Sequence, residues 1–208
     1  MRQDVEFTSA GLTLRGWLYR PDGADGDRPA VVMSHGFSAV KEQGLDGFAQ
    51  RFCAAGMIVL AFDHRHLGSS EGDQRGRIVY QEQHDDTRAA LGWLTQQPGV
   101  DTERVGLWGS SYSGAHAIFL GAFDPRVKVV AFCRNVCTTT SNASVAIAIV
   151  DSVMRMMAPP KTTATTAAAR AERAIAGSNP WLALASTDGS SGSWAALMVS
   201  GIVTSAVV

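Results

Sequence analysis

The chain has 208 residues, 46% of them hydrophobic, and a formal net charge of −1. That is enough apolar content for one large domain with a real core. No stretch concentrates Lys and Arg, which excludes an electrostatic grip on nucleic acid or an anionic membrane and favours a small or neutral ligand.

The opening MRQDVEFTSAG lacks the basic start, apolar stretch and small-residue cleavage site of a signal peptide, so the cytoplasm is the expected location. Val5 to Thr8 and Leu12 to Tyr19 alternate apolar with polar residues around a tight Ser9-Ala10-Gly11 connection, which predicts an antiparallel hairpin. RPDGADGDRP then marks a loop. After it come short continuous apolar runs, AVVMS (30–34), MIVLAF (57–62), RVGLWG (104–109) and VKVVAF (127–132), the pattern of buried parallel strands. Between them GLDGFAQRFCAAG, IVYQEQHDDTRAALGWLTQQPG and SYSGAHAIFLGAF read as helices, the first with a glycine stop and the second with Pro98-Gly99 beyond its end. The resulting βαβαβαβ order predicts a mostly parallel, doubly wound α/β sheet with right-handed crossovers, whose ligands sit at the carboxyl ends of its strands.

From about Thr138 the rhythm stops: 32 of the last 68 residues are Ala, Ser or Thr and only 7 are charged. We therefore divide the chain into a core over 1–137 and a tail over 138–208, either divergent or the product of a shifted reading frame. The uncharged run from Trp194 to Val208 falls short of the roughly 20 residues a spanning helix needs, so no membrane is expected. Cys53, Cys133 and Cys137 form an odd set without paired spacing, which argues against a disulfide framework and a zinc site. Cys53 reads as core packing.

Three strand exits carry chemistry: VVMSHGF with His35 and Gly36, AFDHRHLGSSEG, and WGSSYSG. Ser111 is framed by Gly109 two residues before it and Ser113 and Gly114 after it, small enough neighbours for a sharp strand-to-helix turn. This is a nucleophile elbow in form, although Ser113 stands where the strict Gly-x-Ser-x-Gly spelling has glycine. Ser110, flanked by Trp108 and Tyr112, fits worse, and Ser113 lacks flanking glycines. The alternative is that Ser110 or Ser111 only caps the helix.

Taken with HGFSAVKEQGLDGFAQRFCAAGMIVLAFDHRHLGSSEGDQRG and DDTRAALGWLTQQPGVDTERVGLWGSSYSGAH, the chain resembles the α/β-hydrolase superfamily over about residues 5 to 135. The nearest likeness is to the branch of dienelactone hydrolases, Xaa-Pro dipeptidyl-peptidase-like esterases and polyketide thiohydrolase-like proteins. The resemblance implies a serine hydrolase acting on a small carboxylic ester or thioester, or a peptide, through an acyl-serine, with no metal and no cofactor. Ser111 is then the nucleophile, and the backbone N–H groups of Tyr112 and Phe37 form the oxyanion hole. Both placements make physical sense, because a helix start offers unpaired donors and the turn after Gly36 can aim a second amide.

In that family the histidine of the His-Gly pair, here His35, positions rather than reacts. Asp63 and Arg65 are expected to pin the loop after their strand, Glu71 and Asp73 to form a solvated turn, and His84, Asp85 and Asp86 to be surface or supporting groups. A serine needs a base, and the family order is Ser, then Asp or Glu, then His. The one histidine after Ser111 is His116, about 7.5 Å further up the same helix and turned away from it. Asp124, Asp151 and Asp188 precede no histidine. The standard triad cannot be written, and little esterase turnover is expected. The rivals are an enzyme with a base recruited from His35, His64 or His66, and a non-catalytic relative or fragment that binds a ligand or partner. Oligomeric state is left open.

Overall fold

The computed structural model describes residues 1–23 and 26–133. The expected division at 137/138 and the whole tail lie outside the described residues. The elements are β1 (Arg2–Ser9), β2 (Leu12–Tyr19), β3 (Arg28–Ser34), α1 (Leu45–Ala54), β4 (Ile58–Phe62), α2 (Tyr80–Thr95), β5 (Val100–Ser110), α3 (Tyr112–Phe123) and β6 (Val129–Cys133). They form one six-stranded sheet in the order β1-β2-β4-β3-β5-β6. The hairpin β1–β2 is antiparallel and joins β4 antiparallel, whereas β4, β3, β5 and β6 run parallel, as the alternation of strand and helix patterns predicts.

The hairpin differs in detail from its sequence reading. Ser9 is the last residue of β1, opposite Leu12, so the turn is Ala10-Gly11 alone. Both turn residues have positive φ, 48° and 80°, the mirror-image turn whose twist matches the flanking strands. β5 also begins earlier than RVGLWG suggests, because Val100 reaches the first residue of β3 across a register shift.

Consecutive residues of a strand face opposite sides of the sheet, and β5 shows which helices cover which side. Trp108 packs against Phe48 of α1, with ring centroids 4.9 Å apart. Its neighbour Gly109 meets α3 on the other face. Phe7 of β1 touches both Phe62 of β4 and Trp93 of α2. The core residues Leu14, Val31 to Met33, Leu60, Leu91, Leu94 and Leu120 are completely or almost completely inaccessible. Register then aligns the exits, with Ser34 opposite both Phe62 and Gly109, so β3, β4 and β5 end together at one carboxyl edge.

Candidate active site

Ser111 occupies the single residue between β5 and α3, with φ 51° and ψ −112° and its surface exposed. Positive φ is costly for serine, on the order of 1–3 kcal/mol, and persists only where the surroundings enforce it. The enforcing contact is Gly109: a Cβ there would overlap the backbone oxygen of Ser113 and the backbone nitrogen of Gly114. The chain therefore reverses so tightly that the first turn of α3 lies on the end of β5. Gly114 completes the approach, since a Cβ there would come within 3.0 Å of Phe132 in β6.

Ser111 is the N-cap residue of α3, yet its side chain makes no cap hydrogen bond. The capping alternative is thereby corrected. The departure from the strict motif also has a physical account, because the Ser113 hydroxyl is buried and donates to the carbonyl oxygen of His35. A side chain replaces glycine there by tying the elbow to the exit of β3.

Gly36 lies directly across from the elbow, and a Cβ on it would be 3.5 Å from the Cβ of Ser111. The turn that follows is closed by Ala39 N–H donating to Gly36 O at 3.2 Å, with Ser38 at φ 54°. His35 is buried; its Nδ1 lies 3.0 Å from the same Gly36 oxygen, and its Nε2 accepts from the His64 amide at 3.4 Å. Accepting at Nε2 leaves the ring proton on Nδ1 to be donated to Gly36 O. Because C=O and N–H of one trans peptide unit point in opposite directions, fixing the Gly36 carbonyl fixes the Phe37 amide. That amide donates to no partner among the described residues. Tyr112, first residue of α3, has no preceding helical carbonyl to bond. The Phe37 and Tyr112 rings meet edge to face at 5.4 Å.

The loop after β4 is a charged lattice. Asp63 accepts from Lys41 Nζ, from Lys41 N–H and from Ser69 N–H, at 2.6, 2.7 and 3.0 Å. Arg65 reaches Asp86 of α2 through its backbone N–H and two guanidinium nitrogens, at 2.9, 2.8 and 2.6 Å. Asp63 and Arg65 do pin this loop, but Asp86 and His84 are buried rather than surface groups, and only Asp85 of that trio is exposed. The periodicity of α2 turns Asp86 inward, and its charge is tolerated there because Arg65 pairs with it. Burial by itself would push the Asp86 carboxyl up; the His64 and Arg65 beside it outweigh burial and hold it at about 2. Glu71, in the turn read as solvated, also caps the Thr13 amide at 2.8 Å.

All five histidines are buried. His116 bonds His84 at 2.9 Å and Gln83 at 3.0 Å. Burial and the neighbouring His64 pull both His35 and His116 down to about 4, and burial lowers His84 as well. His64 has no hydrogen-bond partner for either ring nitrogen, its Nδ1 standing 3.6 Å from Asp86. His66 faces Glu82 at 3.7 Å, with Gly72 against its ring. No histidine bonds Ser111 among the described residues. Nor could any group of His, Cys, Asp and Glu among them hold a metal. An open hollow bordered by Arg2, Tyr19, Asp46 and Cys53 lies at the opposite edge of the sheet; Cys53 is half-buried there and burial pushes its thiol up. No helix among the described residues is long and apolar enough to cross a membrane.

The family model of X-Pro dipeptidyl-peptidase (S15 family) matches residues 11–146. The chain belongs to that family. A thiohydrolase of Aspergillus aculeatus, aneE, is 46% identical over 128 residues, which is 61% of this chain and 39% of the relative. The quorum-quenching protein AidA of Acinetobacter baumannii is 35% identical over 127 residues, 61% of this chain and 41% of its own. The crystal structure of the α/β-hydrolase GrgF from Penicillium superposes with a TM-score of 0.60 at 35% identity, over 64% of this chain and 45% of that one. The S15-family chain thus has the α/β-hydrolase fold, and its match spans about two fifths of the length of these curated relatives.

Proposed function

We propose that the elbow between β5 and α3 is an acyl-transfer site, in which Ser111 attacks the carbonyl of a small carboxylic ester or thioester. The Oγ–carbon bond forms as the serine proton leaves, the amides of Phe37 and Tyr112 hold the oxyanion, and the alcohol or thiol departs to leave an acyl-serine that water cleaves. The carrying observation is that Ser111 sits in a strained conformation with its hydroxyl unused for capping, beside Gly36. Likeness to a thiohydrolase makes thioesters the first substrates to try.

In these 208 residues the proton goes to solvent. His35 and His116, depressed to about 4, are already bonded elsewhere, and no histidine lies beyond 116. Losing the base of a triad costs on the order of 10⁶ in turnover. Hydrolysis of an activated thioester is therefore expected well below about 1 s⁻¹, the low end of ordinary enzymes.

The rate of labelling by a fluorophosphonate, measured from pH 7 to 10, tests this reading. Without a general base, the rate follows the serine alkoxide and climbs about tenfold per pH unit, with the label on Ser111 and none on Ser111→Ala. A plateau near neutrality would reveal a recruited base and overturn the solvent step. Absence of label even at pH 10 would remove the acyl site and leave a ligand-binding protein without catalysis.

A further inference from the structure

We infer that Lys41 is a positioning residue for the oxyanion site: by clamping the loop after β3 onto Asp63, it holds the Phe37 amide beside Ser111. This rests on the acyl-site reading above.

Lys41 lies in a loop, where lysine is ordinarily solvated, yet it is 3% exposed. Its ammonium bonds Asp63 at 2.6 Å, Ser69 Oγ at 2.7 Å and Glu42 at 2.8 Å, and sits 5.1 Å from the centre of the Trp17 ring. Its backbone N–H donates to the other oxygen of the same carboxylate at 2.7 Å. One residue therefore presents both main chain and side chain to one buried anion, and this fixes the backbone position of residue 41 as well as its charge. Asp63 is in turn immobile, because Ser69 binds it twice and Gly68, at φ 49°, lies so close that a Cβ would overlap the carboxylate.

The segment from His35 to Lys41 is thus held at both ends. At one end Ser113 ties down the His35 carbonyl and Gly36 abuts Ser111; at the other stands the Lys41–Asp63 pair. Phe37 and Ser38 between them are exposed, tied within the turn through the Gly36 oxygen, which accepts from His35 and Ala39, and through the contact of the Phe37 and Tyr112 rings. Releasing the Lys41 end lets that turn swing. A donor misplaced by about 1 Å forfeits most of its effect on a reaction. Burial by itself would lower Lys41, but Asp63 and Glu42 hold its ammonium above the usual lysine value, so the clamp persists in alkaline solution.

The test measures phosphonylation of Ser111 at pH 9, where solvent takes the proton, separating the maximal rate from the concentration of fluorophosphonate giving half that rate. Lys41→Met should lower the maximal rate about ten- to a hundredfold with the half-saturating concentration little changed, and Lys41→Arg should recover much of the loss. Removing one partner of a buried pair can unfold a protein. The double variant Lys41→Met/Asp63→Asn, which leaves no bare charge, therefore serves where Lys41→Met does not fold, and it should show the same selective loss. A wild-type maximal rate in folded Lys41→Met or in the folded double variant overturns the inference, as does a loss carried only by the half-saturating concentration. Wild-type protein that takes no label removes the acyl site itself, and this inference with it.

Discussion

The loop leaving β4 and the turn leaving β5 emerge from the same edge of the sheet, yet their polar groups are used in opposite ways. In the first, Asp63 and, through Arg65, Asp86 are saturated with donors. In the second, a strained serine leaves its hydroxyl without a capping bond, facing a turn whose Phe37 amide is unpaired among the described residues. Buried polar groups are costly unless satisfied, so the first loop reads as a frame. Strain that the surrounding backbone enforces, beside hydrogen-bonding capacity left unmet at an exposed position, is what the acyl-site proposal takes as the mark of the second.

The sharpest way to break this contrast is to empty one frame carboxylate. Asp86→Ala leaves Arg65 buried without its counter-charge and should cost about 3–5 kcal/mol in urea unfolding. A loss below about 1 kcal/mol would mean that the lattice is ornamental and the contrast false.

Acid probes the frame without mutation. A histidine whose folded pKa is depressed contributes stability that is present above its unfolded value near 6.5 and is lost as pH falls toward the folded value. His35 and His116, both brought to about 4, should each withdraw about 3 kcal/mol between pH 6.5 and 4. Asp86, held at about 2, adds its own loss of roughly 2 kcal/mol only below about pH 4. Thermal midpoints that stay level from pH 7 to 5 would contradict neutral burial of these imidazoles.

Gly109→Ala strikes the elbow through its backbone. The added Cβ overlaps Ser113 and Gly114, so a cost of about 1–3 kcal/mol is expected from unfolding curves, together with loss of Ser111 labelling. Retention of both would show that the reversal is looser than its geometry implies. The smallest effect belongs to Ser111→Gly, which relieves the positive φ and should stabilise the fold by about 1 kcal/mol while abolishing label. Destabilisation instead would place Ser111 with the frame.

Much of this architecture was legible before folding was considered. The continuous apolar runs at 30–34, 57–62 and 104–109 became β3, β4 and β5, because a strand covered on both faces has no polar positions to spare. Ser111 stood out for the same kind of reason: the elbow tolerates only small neighbours, and smallness is visible in the letters. Lys41 was not legible. A lone lysine in a loop is normally solvated, and the carboxylate that buries it lies 22 residues away on another strand exit. The inward turn of Asp86 and His84 was equally hidden, since helix periodicity names a face but not the partner that makes burying a charge tolerable.

Local composition by itself settled which segments form strands and helices, that the strands run mostly parallel, and where the backbone must reverse most sharply. These follow from short-range sterics and the burial of apolar area. Whether Ser111 caps its helix, how Ser113 replaces a glycine, and which carboxylates hold the neighbouring loops were decided only when the exits of β3, β4 and β5 met at one edge. The cause is hydrogen-bond satisfaction, which joins residues far apart in the chain and therefore leaves no local pattern in it.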